Sequence, residues 1–197
     1  NHGLSKRFFY KSRECLPINA YSKSRPFKLI YVSDLEPYKH HWHVVSAVSM
    51  VRKQTGWPLQ LILVGRPRHN QSSLLLKKAI KKYDPYSSWI NLFENIEYEN
   101  LHNLYKDIDL GIYASTCENF PNIILEYIGC SLPFICSNRE PMPSITEKLT
   151  YYFNPEDPQD ISNNIIKIIK NDRFRQLLSI KLSRLVNNYS WKECSKE

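Results

Sequence analysis

Six short runs of apolar, β-forming residues punctuate the chain: 27–33 (FKLIYVS), 59–65 (LQLILVG), 89–93 (WINLF), 110–115 (LGIYAS), 133–137 (PFICS) and, more weakly, 150–153 (TYYF). Between them the pattern changes to a helical period. Residues 41–54 place Val44, Val45, Val48 and Val51 on a common face, and 72–83, 99–106, 121–130, 158–170 and 172–187 also read as helices. Strands without polar alternation are buried on both faces, and strands that alternate with helices close a parallel sheet. The expected fold class is α/β, a Rossmann-like doubly wound parallel sheet of about six strands with right-handed crossovers. Residues 1–26, with Pro17 and Pro26, read as an irregular leading segment, 27–187 as the folded domain and 188–197 as a tail. No internal repeat or low-complexity stretch interrupts this order.

Such sheets bind ligands beyond the carboxyl ends of their strands. That rule directs attention to the loops 33–40, 65–70, 94–97, 115–121 and 137–143.

Composition narrows the chemistry. At 197 residues the chain can bury a sizeable core, and no run approaches the roughly 20 apolar residues of a membrane span. It begins at Asn1 without a signal-like leader, and is read as a fragment or processed product. Cys15, Cys117, Cys130, Cys136 and Cys194 are odd in number, scattered and never spaced C-x-x-C. This disfavours a disulfide framework or a zinc site and points to the reducing cytoplasm. A net charge of +8 suits anionic partners. With five glycines and neither a G-x-G-x-x-G nor a Walker pattern, a dinucleotide dehydrogenase or P-loop NTPase is not expected.

The stretch YKHHWH (38–43) suggests metal binding at first sight. Only His40 and His43 can share a helix face, and two imidazoles do not complete a zinc site, so no metal is expected. The histidines read as helix-start residues, solvated or packed with Trp42. Lys39 matters more, because it reaches toward the ligand edge beside a helix amino terminus, where anions are favoured. The DID at 107–109 looks like the metal-holding D-x-D of some sugar transferases, but it precedes its strand and so lies at the wrong edge. A structural role is expected for it.

The richest segment is ASTCENFPNIILEYIGC (114–130), read as strand, loop and helix. Pro121 suits the first helical position. Phe120 cannot cap that helix, so its first amides need Asn119, water or a bound anion. Glu126 lies inside an otherwise apolar helix, on the face of Asn122, and a buried carboxylate requires partners. Ribose hydroxyls at the ligand edge, or a structural ion pair with a lysine or arginine, would supply them. Glu118, on the loop above, could hold sugar hydroxyls or a developing positive charge.

Glu118 and Glu126, separated by seven residues within CENFPNIILEYIGCSLPFICSN, resemble the E-x-F-P-N-x-x-L-E stretch of retaining glycosyltransferases of the GT-B architecture, family four. YVSDLEPYKHHWHVV resembles the first strand, lysine-bearing loop and helix of the same domain. NHGLSKRF resembles its crossover from an amino-terminal domain, and YSWKEC its returning tail. The resemblance covers essentially the whole chain and implies the carboxyl-terminal, donor-binding half of a two-domain enzyme. Residues 1–26 would then be the interdomain crossover and 188–197 the tail leading back to an amino-terminal acceptor domain.

The same resemblance implies the site. Lys39 would neutralise the diphosphate of a nucleotide sugar, and the amides around Phe120, Pro121 and Asn122 would help at the phosphates or the sugar. Glu118 would hold the transferred sugar, Glu126 the ribose, and the loop at Asn95 and Ile96 would border the base. Two positions depart from the family pattern. Asp34 stands where an arginine is common, which could shift a phosphate contact to Arg66, and Glu94 stands where a glycine is common. The implied activity is metal-independent transfer of a sugar, without cofactor and with retention, to a glycan or lipid-linked acceptor in polysaccharide biosynthesis. The fragment alone would be inactive. Its expected location is the cytoplasm or the cytoplasmic face of an acidic membrane, with no nucleic-acid partner. A GT-B nucleotide-sugar epimerase domain and a non-enzymatic basic module that binds nucleic acid or membrane are the alternatives.

Overall fold

In a computed structural model, which describes residues 4–186, six strands form one sheet: β1 (Phe27–Val32), β2 (Leu59–Val64), β3 (Ile90–Phe93), β4 (Leu110–Tyr113), β5 (Phe134–Ser137) and β6 (Tyr151–Phe153). Every pairing is parallel and the spatial order is β3-β2-β1-β4-β5-β6. The α/β, doubly wound reading therefore holds, with each strand within about two residues of its expected bounds. The chain winds outward from β1 in one direction and from β4 in the other. Where β1 meets β4, in the register Leu29↔Leu110 and Ile30↔Gly111, the loops diverge and leave a crevice.

The helices are α1 (His41–Thr55), α2 (Asn70–Tyr83), α3 (Tyr98–Lys106), α4 (Asn122–Gly129), α5 (Met142–Ile145), α6 (Pro158–Lys170) and α7 (Asp172–Leu185). α1 packs on α2 and α6, and α4 packs on α7. The central strands are buried along nearly their whole length, which is why their sequences lack polar alternation. α5 lies in what the sequence shows only as a loop. Its four residues, one of them Pro143, are too few to carry a periodic signal.

Several boundaries follow from local chemistry. Gly56 adopts φ +70° and returns its N–H to the Arg52 carbonyl, ending α1. Asp157 caps α6 ahead of Pro158, and the Asn171 side chain caps α7. The expected place of Pro121 is corrected: it precedes α4 in an extended conformation, and Asn122 is the first helical residue.

The leading segment is more ordered than its prolines suggest. It contains 3-10 turns at Lys6–Phe8 and Ile18–Ala20 and buries Leu4 and Phe8 against the body. Arg13 donates to the carbonyls of Ile108 and Cys130, and the Tyr10 N–H donates to the Gly129 carbonyl. Asp109, from the DID triplet, accepts the Tyr21 hydroxyl and the Lys28 N–H, tying this segment to the amino end of β1. The structural reading of that aspartate agrees with its contacts. The NHG of the crossover motif and the YSWKEC tail lie outside the described residues.

Candidate functional site

A cavity of about 920 Å³ opens at the carboxyl edge of the sheet, over β1, β2 and β4. A second hollow, of about 470 Å³, lies at the amino edge beside Asp107 and Asp109. The first is where the winding reverses and strand ends and helix amino termini converge, so it is the candidate site.

β1 leads into Asp34 and a 3-10 turn, Pro37–Lys39. His40 follows with φ +50°, reversing the chain into α1. The turn is held from below, where the Tyr31 hydroxyl on β1 donates to the Lys39 carbonyl at 2.7 Å. The loop after β4 is stitched to it from the side: the Thr116 N–H donates to the Tyr38 carbonyl at 2.9 Å. Lys39 is thereby fixed between two loops and is only 8% exposed.

Its ammonium pairs with Glu118 and donates to the Tyr113 hydroxyl at 2.9 Å. Tyr113 in turn donates to Glu118 at 2.7 Å. Lys39 and Glu118, both marked in the sequence, meet across the switch point. Tyr113 was not marked, because in the run LGIYAS it reads as another β-former of the core. Its place at the end of a strand beside the crevice was the available signal.

Asp34 engages the next loop. It accepts the Arg66 backbone N–H and the Arg68 Nε, each at 3.0 Å, with the Arg66 Nη2 at 3.4 Å. Partial burial pushes its carboxyl up, but these hydrogen bonds outweigh it and hold the group below the ordinary aspartate range. Gly65 makes the arrangement possible. A Cβ there would sit 1.8 Å from the Ser33 carbonyl oxygen, so only glycine lets the two strand ends approach.

Of the other marked residues, Arg66, Asn95, Ile96 and Asn122 also line the cavity. Glu118 reaches it through Lys39. Asn119, Phe120 and Pro121 lie on the adjoining loop outside the lining, and no side chain caps α4. Glu126 is not among the lining residues; it is 3% exposed and accepts the Tyr105 hydroxyl of α3 at 2.7 Å. That partner was not foreseen. Burial raises its carboxyl to about 7, against the lowering effect of the tyrosine bond.

The histidines divide. His40 and His43 stack at 5.3 Å with Trp42 edge-on to both, and His43 Nδ1 donates to the Pro155 carbonyl. His41 is instead buried, stacked on Tyr31 at 4.5 Å, with Nε2 at 3.1 Å from the Ser33 carbonyl. Burial lowers its pKa to about 3, so it is neutral and Nε2–H donates. Among the described residues no three metal-ligating side chains converge.

The cations of the cavity, Lys39, Arg66 and Arg68, come from the loops after β1 and β2. Glu94, Glu97 and Glu99 come from the loop and helix start after β3. A ligand with an anionic group and separate hydroxyl or amide donors complements both sets. No helix among the described residues is long and apolar enough to cross a membrane.

The protein is similar to O-antigen chain mannosyltransferase B of Escherichia coli, 25% identical over 185 residues. That match takes in 92% of this chain and 47% of the relative, so the chain spans about half its length. Among solved structures, Anabaena Alr3699/HepE in complex with UDP and glucose superposes with a TM-score of 0.78 at 17% identity, over 95% of this chain and 51% of that one. The C-terminal domain of the group 1 glycosyl transferase LpcC from Francisella tularensis superposes at 0.76 and 17% identity, over 96% of this chain and all of that one. At these identities the structures show a shared fold. The family model for glycosyl transferases group 1 matches residues 18–183, most of the chain, and establishes that this chain belongs to that family.

Proposed function

We propose that this chain is the donor-binding half of a retaining glycosyltransferase that moves a hexose from a nucleotide diphosphate sugar to a glycan or lipid-linked acceptor. The observation that carries it is the buried Lys39 ammonium, held at the switch point by Glu118 and Tyr113 beside the cavity. The loop cations Lys39, Arg66 and Arg68 line that cavity, and a diphosphate would compete with Glu118 for the Lys39 ammonium.

In this reading Lys39, joined by Arg66, stabilises the charge that grows on the departing diphosphate, a contribution made in the transition state. The chain's own cations do this without a metal ion. Glu118 holds hydroxyls of the transferred sugar. Glu126, one helical turn beyond Asn122 of the cavity lining, is assigned the ribose hydroxyls. Asn95 and Ile96 border the base, and the first amides of α4 face the phosphates or the sugar. The relative's name favours mannose as the sugar and a polysaccharide chain as the acceptor. An amino-terminal domain would supply the acceptor half of the cleft. The excess of basic residues suits association with an acidic membrane at its cytoplasmic face.

Heteronuclear NMR titration of the chain with UDP, GDP and their hexose derivatives, without metal, tests the donor site. Shifts concentrated at Lys39, Arg66, Asn95 and Asn122 for one base are expected. No response to any nucleotide would overturn the reading. Anomeric analysis of product from the enzyme carrying both halves tests retention, which an inverted product would exclude.

A further inference from the structure

Tyr113, the last residue of β4, is 2% exposed, yet its hydroxyl reaches the cavity wall and has two polar partners. It accepts from Lys39 Nζ at 2.9 Å and donates its single proton to Glu118 at 2.7 Å. Tyr31, on the neighbouring strand, holds the other end of the same lysine through the backbone carbonyl. The two rings meet edge-on, with centroids 5.8 Å apart. Two tyrosines from the strands flanking the switch point therefore grip Lys39 at both ends. Burial foremost, then Tyr31 and the Glu118 charge, raise the Tyr113 phenol well above the ordinary tyrosine value, so it remains a donor at neutral pH.

A diphosphate in the cavity competes with Glu118 for the lysine. Once Lys39 turns to the phosphates, a largely buried carboxylate is left with one partner fewer, and such a group relaxes toward solvent unless another donor holds it. The Tyr113 hydroxyl already occupies that role. We propose that Tyr113 is a positioning residue, keeping the Glu118 carboxylate in place for the sugar while Lys39 engages the donor diphosphate. The proposal rests on the donor-site reading above. It adds a residue that touches neither phosphate nor sugar and acts through the two that do.

The test compares the chain with its Tyr113→Phe variant, which keeps the ring and deletes the hydroxyl. Affinities for GDP, UDP, GDP-mannose and UDP-glucose are measured by NMR titration, with the amide spectrum as the control for folding. The variant is expected to bind the bare diphosphate within about twofold of the unaltered protein and to lose about tenfold of the extra affinity conferred by the sugar, the scale of one hydrogen bond to a charged group. A packing role would move both ligands alike or neither.

A sugar-dependent gain that survives in the variant would overturn the positioning role and leave the donor site standing. An unaltered protein that binds diphosphate but gains nothing from the sugar would also overturn it. Failure to bind any of the four ligands would remove the donor site and this role together. If Tyr113→Phe loses the fold, tyrosine labelled with 13C at Cζ in the unaltered protein supplies the second measurement. The Tyr113 resonance should move on saturation with diphosphate, because one of its two partners leaves, and an unmoved resonance at saturation would overturn the proposal.

Discussion

Lys39, on the loop after β1, forms an ion pair with Glu118, on the loop after β4, so the two halves of the sheet are joined by a charge at the point where they diverge. Both side chains are nearly dry, 10% and 13% exposed, and removing either partner strands the other. Lys39→Met is therefore expected to destabilise the fold by about 3 kcal/mol, with a further loss of nucleoside diphosphate affinity of about tenfold or more. Lys39→Met combined with Glu118→Gln should recover at least half of the stability and none of the binding. Urea denaturation of both variants checks this. A double variant no more stable than the single one would show that the pair contributes little to the fold.

Asp34 holds Arg66 and Arg68, whose side chains are about half exposed, so the contribution of these pairs to stability is small. Its effect on binding is larger, because it withdraws two cations from an anion site. Asp34→Asn is expected to raise diphosphate affinity about fivefold at low salt, the scale of one screened charge across a short distance. The gain should shrink as ionic strength rises. Unchanged or weaker binding would show that the arginines face the ligand with Asp34 in place.

Glu126 and His41 make opposite contributions to the pH dependence of stability. Burial raises the Glu126 carboxyl from 4.5 unfolded to about 7 folded, so the folded state holds a proton that the unfolded state releases. Its contribution to stability is complete below pH 4.5 and is lost as pH rises toward 7, by up to about 3 kcal/mol. His41 falls from 6.5 to about 3, so the unfolded state takes the proton first, and its contribution is lost as pH drops through that window. Glu126→Gln should abolish the first effect and leave a stability that climbs steadily from about pH 3 to 6.5. Chemical denaturation across that range reads the slope, and an unchanged profile would place the charged form of Glu126 in the fold.

Asp109 faces the other edge. Asp109→Ala leaves the Lys28 N–H and the Tyr21 hydroxyl without their acceptor, at a cost of about 2 kcal/mol. Nucleotide affinity should be unchanged in the folded variant. A loss of affinity with the fold intact would return DID to the binding machinery.

The strands, every described helix but the four-residue α5, the strand-to-helix alternation and the loops at the carboxyl edge were legible along the chain, because each depends on residues that are neighbours in sequence. Full burial on both faces of a parallel sheet removes polar alternation from the strands, and the resulting runs, FKLIYV, LQLILV and LGIY, mark themselves. Lys39 and Glu118 could be singled out for the same reason, each lying on a loop just past such a run. Partnership is different in kind. The Tyr105 hydroxyl beneath Glu126, the two arginines on Asp34 and the Tyr113 hydroxyl between Lys39 and Glu118 join residues 21, 32 to 34, and 74 positions apart. A tyrosine at the end of a strand has the same local pattern whether its hydroxyl meets solvent, a carbonyl or a charged pair. Only the packing of β1 beside β4, which brings their two loops within hydrogen-bond reach, decides that this one meets a lysine and a glutamate.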